Sequence, residues 1–281
     1  RCDGGYMIKR LDHVAIAVKS LGPVLETYRR LLGFTDAHIE DVPQQGVKAA
    51  LLSVPGAEIE LLEPIDPQGA VARFLERRGE GLHHICLEVD DIAAELERLK
   101  AAGIPLVDQQ ARPGLAGRVA FLHPKASHGV LVEMAQKTGH EPTPGKPPPG
   151  ITGMAHAAVA VKDIAQAFQT FATTLGLPVD GRVVERPAVK LGFIKLGNSE
   201  LELLEPVDPN GDQARFLAER GEGLYHFALF VADLPQKVAA LLRAGVKLDR
   251  VRPPEKPRMA FIHQDELHGV SVELMQEGYH P

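Results

Sequence analysis

The chain contains EIELLEPIDPQGAVARFLERRGEGLHHI at residues 58–85 and ELELLEPVDPNGDQARFLAERGEGLYHF at residues 200–227. At this offset of 142, 19 of the 28 aligned positions are identical. Flanking pieces match as well: LDHVAIAV at 11–18 recurs as MAHAAVAV at 154–161, and HGVLVEM at 128–134 recurs as HGVSVEL at 268–274. Self-similarity at a fixed period indicates a duplicated structural unit. The sequence therefore predicts two copies of one domain.

The repeat sets the expected domain boundaries. We predict a first domain at residues 11–135 and a second at residues 152–276, joined by a linker at residues 136–151. The linker begins QKTGHEPTPGKPPPG, whose five prolines favour an extended, semi-rigid segment. Residues 1–10 are interpreted as a leader, in which RCDGGYM is a remnant of expression cloning before a start at Met7.

The composition is that of an ordinary globular protein. The chain has 281 residues, 44% of them hydrophobic and 24% charged, which suggests two domains at roughly 150 residues each. A formal net charge of −6 without a basic tract argues against a nucleic-acid partner. No apolar run approaches the ~18 residues of a membrane helix. Cys2 and Cys86 do not support a disulfide framework, which favours a reducing cytoplasm.

Each copy divides again into two similar halves. In the first copy, the apolar spacing predicts helices at 21–32 and 91–102 and a connecting helix at 69–78. Predicted strands lie at 11–18, 34–42, 47–54 and 58–63, then at 82–89, 104–108, 118–123 and 129–135. The second copy repeats this order at 154–205 and 224–275. Four βαβββ modules predict the α+β fold class.

Each module carries a histidine in its first predicted strand and a glutamate in its last. The separations are 47, 49, 46 and 47 residues. A single histidine in an apolar strand is usually a hydrogen-bonded core residue, and a glutamate at a strand end is usually solvated. Four near-equal spacings favour metal ligation instead. The eight candidate ligands are His13, Glu60, His84, Glu133, His156, Glu202, His226 and Glu273.

The residues beside these histidines are small. Because side chains alternate between the faces of a strand, His13 shares a face with Ala15 and Ala17, and His84 shares one with Cys86. Such a face leaves a hollow for a substrate. Two imidazoles and two carboxylates suit Co, Ni, Zn, Mn or Fe in the +2 state, with up to two ions per chain. An octahedral ion would keep two positions for a substrate and acidify the α-proton of a bound carbonyl.

Several motifs resemble the methylmalonyl-CoA epimerase family of the vicinal oxygen chelate superfamily, which includes glyoxalases, bleomycin resistance proteins and extradiol dioxygenases. The motifs are LDHVAIAV, DVPQQGVK, EIELLEP, GEGLHHICLEVDDI and FLHPKASHGVLVEM. They cover nearly all of residues 11–135, and the second copy is similar to a lesser degree. The resemblance implies that paired modules form two cupped mixed sheets, each around one divalent ion held by the four ligand positions of its copy. It also implies a monomer that holds the equivalent of a family dimer.

The resemblance implies an isomerase that removes the α-proton of a small acyl thioester, similar to methylmalonyl-CoA, through a metal-held enolate. Some family members place a free glutamate at a position occupied by Ala49 and, in the second copy, by Leu191. Neither residue is a base. Either a ligand glutamate doubles as the base, with Glu133 the first candidate and Glu60 the next, or another group serves.

Two further residues are candidates for substrate binding. Lys125 could hold the phosphates of coenzyme A, although Asp265 replaces it in the second copy; a plain surface lysine is an equal alternative. His123, which recurs as His263, is interpreted as a structural residue or part of the pocket wall rather than as a ligand.

Three other functions remain open at this point. A glyoxalase-type isomerase or lyase could use the same metal on a thiol adduct. An extradiol-type dioxygenase also uses four βαβββ modules, but the complete ligand set in both copies argues against it. A non-catalytic binding protein of the resistance type is supported by the missing free base.

Overall fold

A computed structural model describes residues 8–142 and 145–279. The first module contains β1 (Ile8–Ala17), α1 (Leu21–Leu32), β2 (His38–Val42), β3 (Val47–Val54) and β4 (Ala57–Pro64). After α2 (Ala70–Arg78), the second module contains β5 (Gly81–Val89), α3 (Ile92–Ala101), β6 (Arg112–Gly114), β7 (Gly117–Leu122) and β8 (Val132–Gln136). Each module therefore has the predicted βαβββ order.

The second copy repeats this order. Its third module contains β9 (Ile151–Ala160), α4 (Ile164–Leu175), β10 (Val183–Glu185), β11 (Val189–Leu196) and β12 (Ser199–Pro206). After α5 (Asp212–Arg220), the fourth module contains β13 (Gly223–Val231), α6 (Leu234–Arg243), β14 (Leu248–Arg252), β15 (Met259–Ile262) and β16 (Ser271–Gln276).

The strands form two eight-stranded mixed sheets. Their orders are β2-β3-β4-β1-β5-β8-β7-β6 and β10-β11-β12-β9-β13-β16-β15-β14. Within a module the first and last strands run parallel, as β1 with β4 and β5 with β8, whereas hairpin neighbours are antiparallel. The expected fold class, α+β with four βαβββ modules and two mixed sheets, is confirmed.

The chain divides into two compact units, and neither is a single sequence copy. Among the described residues, one unit contains 8–12, 84–141 and 157–225, and thus most of the second and third modules. Its core includes a cluster of Ala158, Leu191, Phe193 and Leu204. The other unit contains 13–83, 142, 145–156 and 226–279, and thus most of the first and fourth modules. The predicted domain boundaries themselves stay predictions.

Local signals explain where the helices begin and end. The Asp91 carboxylate accepts hydrogen bonds from the backbone N–H groups of Ala93 and Ala94, which satisfies donors that the first turn of α3 leaves free. Asp163 does the same for Gln166 at the start of α4. Helix α1 ends at Gly33, whose φ of 91° is in the left-handed region that glycine adopts readily. The predicted helix at 21–32 is confirmed.

Two predicted strands differ from the structure. The strand predicted at 34–42 begins at His38, because Phe34 is instead buried beside Tyr28. The strand predicted at 104–108 is wrong: this segment forms one isolated bridge, Leu106 with Leu122, and the edge strand is β6. Pro105 has no N–H to donate to a ladder, and the Asp108 carboxylate accepts the hydrogen bond of the Phe121 N–H.

Parts of the predicted leader and linker are described. Residues 8–10 begin β1, whereas the proposed remnant at residues 1–7 lies outside the described residues, as do Thr143 and Pro144 of the linker. Further along the linker, the Lys146 N–H donates to the Asp36 carboxylate. Between residues 8 and 279, leaving out those two linker positions, the structure contains no helix with the length and apolar character needed to cross a bilayer.

Candidate metal centres

Strand register places each histidine near its glutamate. In β1 and β4, Ala15 pairs with Glu60, two residues along from His13 and on the same face. In β5 and β8, Cys86 pairs with Glu133, again two residues from the histidine, His84. The small residues predicted beside the histidines are therefore the direct neighbours of the glutamates.

Three side chains of the second copy converge closely. The Nε2 atoms of His156 and His226 lie 3.1 Å apart. Glu273 Oε2 lies 3.2 Å from the first of these nitrogens and 3.3 Å from the second. Glu202, which pairs with Phe193 across β11 and β12, belongs to the same group, in which one ligand atom from each of the four residues lies within 4.8 Å of the others.

The protonation states of this group suit ligation. Burial lowers the pKa of His226, and the opposing attraction of Glu273 does not outweigh it, so the imidazole is neutral at pH 7. Burial acts to raise the pKa of Glu273, but the hydrogen bonds of His156 and His226 bring it below its ordinary value. A neutral imidazole and an ionised carboxylate are the forms that bind a cation.

The first copy brings three of its four candidate ligands into one such group, which does not include Glu60. His13 Nε2 lies 3.5 Å from Glu60 Oε2, and His84 Nε2 lies 3.2 Å from Glu133 Oε2. One ligand atom each from His13, His84 and Glu133 lies within 4.8 Å of the others. All eight candidate ligands are buried, with 2% to 6% of their surface exposed.

The donor sets therefore fit a divalent cation. Buried carboxylates without a compensating positive charge are costly, and a divalent ion would supply that charge. Two nitrogens and two oxygens match the preferences of first-row transition metals. The role of the eight residues as ligands stays a prediction, and their geometry supports it.

A phenylalanine and an arginine accompany one histidine of each copy, and neither was among the residues predicted from the sequence. The His84 ring meets the edge of Phe121 at 5.2 Å between centroids, and Arg112 Cζ lies 5.6 Å from the centre of that ring. In the second copy, the ring centroids of His226 and Phe261 lie 5.1 Å apart. Arg250 Cζ lies 5.4 Å from the centre of the Phe261 ring. The repeat of RVAFLH at 118–123 as RMAFIH at 258–263 could have indicated the phenylalanines.

The candidates for substrate binding lie at the start of a short 3₁₀ turn at Pro124–Ala126. His123 Nδ1 accepts a hydrogen bond from the Lys125 N–H at 3.1 Å, so this ring caps the turn. Lys125 itself is exposed. His263 caps the equivalent turn by accepting from the Asp265 N–H. The structural role of His123 is observed, whereas substrate binding by Lys125 and His123 stays a prediction.

The position at which some family members carry a free glutamate is buried in both copies, as Ala49 in the first and Leu191 in the second. Ala49 pairs with Leu62, and Leu191 pairs with Leu204, each two residues from the register partner of the glutamate. The second copy therefore carries a bulkier side chain on the face that the candidate ligand Glu202 shares. Fold and donor sets together define a protein of paired βαβββ modules with two mixed nitrogen–oxygen candidate metal centres.

The glyoxalase/bleomycin resistance protein/dioxygenase superfamily model matches residues 12–121 and again residues 155–262. The chain belongs to this superfamily, and it contains the domain twice.

Individual relatives agree with that assignment. Over 133 residues, 46% of this chain and 99% of the relative, the chain is 43% identical to the ethylmalonyl-CoA/methylmalonyl-CoA epimerase of Cereibacter sphaeroides. It is 38% identical to the human mitochondrial methylmalonyl-CoA epimerase over 47% of this chain and 76% of the relative. The expected resemblance is confirmed, and with it the expectation of an enzyme.

A solved structure extends the similarity to the whole chain. A variant of 4-hydroxymandelate synthase from Streptomyces coelicolor superimposes with a TM-score of 0.76, covering 98% of this chain and 94% of that one. At 17% identity this match concerns the fold alone.

Proposed function

We propose that the chain is a divalent-metal-dependent isomerase that moves the α-proton of a small acyl thioester, similar to methylmalonyl-CoA. The convergence of buried imidazole and carboxylate groups in both copies carries this proposal. The names of the relatives, both epimerases of malonyl-type thioesters, support the substrate class.

His13, Glu60, His84 and Glu133 would hold the ion of the first copy. When bound, a divalent ion supplies Lewis acidity, which lowers the energy of negative charge on a thioester oxygen. The buried side chains around it exclude water, which strengthens each electrostatic interaction in the site. The same residue types in the second copy would hold a second ion.

A glutamate of the first copy serves as the base. Glu133 is the first candidate, because its register partners Cys86 and Phe121 place it on the same face as His84. Its carboxylate would take the α-proton and leave a planar carbon; return of the proton to the same face retains the configuration, and inversion requires delivery of a proton to the opposite face. Glu60, at 3.5 Å from His13, is the second candidate.

We assign turnover to the first copy. It carries Ala49 where the second copy carries Leu191, which leaves more room beside the ligands. It also carries the cationic Lys125 where the second copy carries Asp265, and a cation suits the phosphates of coenzyme A. The proposal also includes a cytoplasmic location and a monomeric state.

Deuterium exchange tests the proposal. The metal-loaded chain is incubated with methylmalonyl-CoA in D₂O, and incorporation at the α-carbon is followed by mass spectrometry. We expect exchange by the wild type, a large loss in His13→Ala and a smaller loss in His156→Ala. His38→Ala is the matched control, because this partly exposed histidine pairs with Glu40 on an edge strand. Equal losses in the first two variants would contradict the assignment of turnover to the first copy.

The absence of a free base at Ala49 and Leu191 favours one second candidate, a binding protein without turnover. That function predicts that methylmalonyl-CoA or a thiol adduct binds the metal-loaded chain while no α-proton exchanges. Oxygen uptake with a catechol and bound iron would instead indicate a dioxygenase.

A further inference from the structure

Arg112 holds a positive charge above the second-module ligands without a full set of hydrogen-bond partners. Its Nε lies 3.5 Å from the Asp108 carboxylate, and 36% of its side chain is exposed. Its Nη1 atom is nevertheless buried and has no acceptor within the described part of the chain. A guanidinium presents five donors in a fixed plane, and a buried donor is normally satisfied. This nitrogen is therefore available to an acceptor that enters the site.

The arginine lies on the ligand face of the sheet. Phe121 pairs directly with Glu133 across β7 and β8, so the phenyl ring and the carboxylate project from the same face. The phenyl edge contacts the His84 ring, and the guanidinium lies over the phenyl ring. Phe121 therefore lies between His84 of the candidate metal centre and the Arg112 guanidinium.

The second copy builds the same feature from a different sequence position. Arg252 is the backbone equivalent of Arg112, because each precedes a proline and pairs with the same position of the next strand, Met259 or Val119. The guanidinium over Phe261, however, belongs to Arg250. A register shift between Asp249 and Arg252, with a φ of 51° at Arg250, accompanies this exchange. Two different sequence positions thus place a guanidinium over the equivalent phenylalanine, which argues that a positive charge is required there.

We infer that Arg112 and Arg250 recognise an anion, and that each receives the free carboxylate of a small acid whose other oxygens approach the adjacent metal ligands. The inference rests on the proposed function, and it restricts the substrate to acyl compounds with a free carboxylate. A planar guanidinium suits a carboxylate because two parallel hydrogen bonds can form. Anchoring that carboxylate would fix the position of the α-carbon relative to Glu133.

Binding of malonate tests the inference without turnover. Isothermal titration calorimetry on the metal-loaded chain would compare wild type with Arg112→Gln and Arg250→Gln. Each variant should weaken malonate binding at one of two sites by about tenfold or more, as expected for hydrogen bonds to a charged group. Arg112→Lys, which keeps the charge but not the planar fork, should weaken it less. Arg118→Gln, an exposed arginine on the same β7 strand, is the matched control and should bind like wild type.

A second ligand separates recognition from a structural role. Acetohydroxamate chelates metals but has no carboxylate, so Arg112→Gln should bind it as the wild type does. Equal weakening of both ligands would mean that the arginine only supports Phe121, and would overturn the inference. Unchanged malonate binding in Arg112→Gln, or none by wild type, would overturn it as well. Because no proton exchange is involved, these results are independent of the deuterium test of the proposed function.

Discussion

Gly129 lies so close to the carbonyl group of Glu222 that a Cβ atom at Gly129 would be 1.9 Å from that oxygen. The second copy shows the same relationship, since a Cβ at Gly269 would be 2.3 Å from the Glu80 carbonyl oxygen. The HG corner at residues 128–129 therefore packs on the GEG turn at residues 221–223 of the other copy. The HG corner at residues 268–269 packs in the same way on the GEG turn at residues 79–81. Beside this contact, His128 Nδ1 lies 3.0 Å from Glu222 Oε2, and His268 Nδ1 lies 3.4 Å from Glu80 Oε2.

We expect Gly129→Ala to destabilise the chain strongly. A methyl group would collide with backbone, which cannot rotate away as a side chain can, and the φ of 77° already disfavours any residue but glycine. The loss in the free energy of unfolding should be at least about 3 kcal/mol, measured by urea denaturation.

Gly176→Ala is the matched control for that variant. Gly176 also has a positive φ, 63°, but no atom lies within 4 Å of the point that a Cβ at this residue would occupy. It should lose only about 1 kcal/mol, the cost of the left-handed backbone alone. Equal losses in the two variants would mean that backbone strain, and not the approach of Glu222, decides the first result.

Tyr28→Phe should leave the chain as stable or more stable. The Tyr28 hydroxyl is buried with no hydrogen-bond partner in the described chain, and the equivalent residue of α4 is Phe171. Removing an unsatisfied hydroxyl should raise the free energy of unfolding by up to about 1 kcal/mol. A loss of stability in thermal or urea unfolding would reveal a partner for this hydroxyl.

Alkaline titration gives the same substitution a second readout. Burial raises the pKa of Tyr28 above its ordinary value of 10.0. The folded state then keeps the phenolic proton at a pH where the unfolded state releases it, so stability falls as pH rises above the unfolded pKa. Tyr28→Phe should lose less stability than wild type between neutral pH and about pH 11. Parallel curves for the two proteins would contradict the assignment.

Most helices and strands could be predicted because their signals are local. Helix α1 has clear apolar periodicity before Gly33, and strand alternation placed Ala15 beside His13. The position of Arg112 over Phe121 could not be predicted, because it depends on pairing between β6, β7 and β8. Arg250 was further hidden by the irregular register of β14, which displaces it from its sequence equivalent.

The contacts between segments distant in the sequence also could not be predicted from sequence patterns. The repeat did not indicate whether modules associate within or between copies, and each compact unit contains most of one module from each copy. The GEG turns at residues 79–81 and 221–223 carry no periodic signal. Their contact with the HG corners depends on segments about ninety residues apart or more, as for Gly129 and Glu222, and apolar periodicity carries no information on such pairings.

A larger side chain at Ala49 should reduce turnover. In Ala49→Leu, the larger side chain would occupy the space beside Leu62 that the second copy fills with Leu191. We expect deuterium exchange to fall by about tenfold or more, in line with the energies of overpacking. Leu191→Ala, the reciprocal change, should leave exchange unchanged. A loss in Leu191→Ala equal to that in Ala49→Leu would place turnover in both copies.

Removal of bound metal should lower the melting temperature. The carboxylates of Glu133 and Glu273 are buried, and a cation compensates their charge only in the folded state. Differential scanning calorimetry with and without a chelator should show a drop that excess metal reverses. The double variant His84→Ala/His226→Ala should show no such response, and a full response in that variant would indicate binding elsewhere.

Metal stoichiometry tests the central claim most directly. After loading with Co²⁺ or Zn²⁺ and exhaustive dialysis, elemental analysis should find two ions per wild-type chain, one in His84→Ala, one in His226→Ala and none in the double variant. Each imidazole lies within 3.3 Å of a glutamate of its own set, so its loss should open that site alone. Wild-type chains that retain no metal, or single variants that retain two ions, would contradict the account.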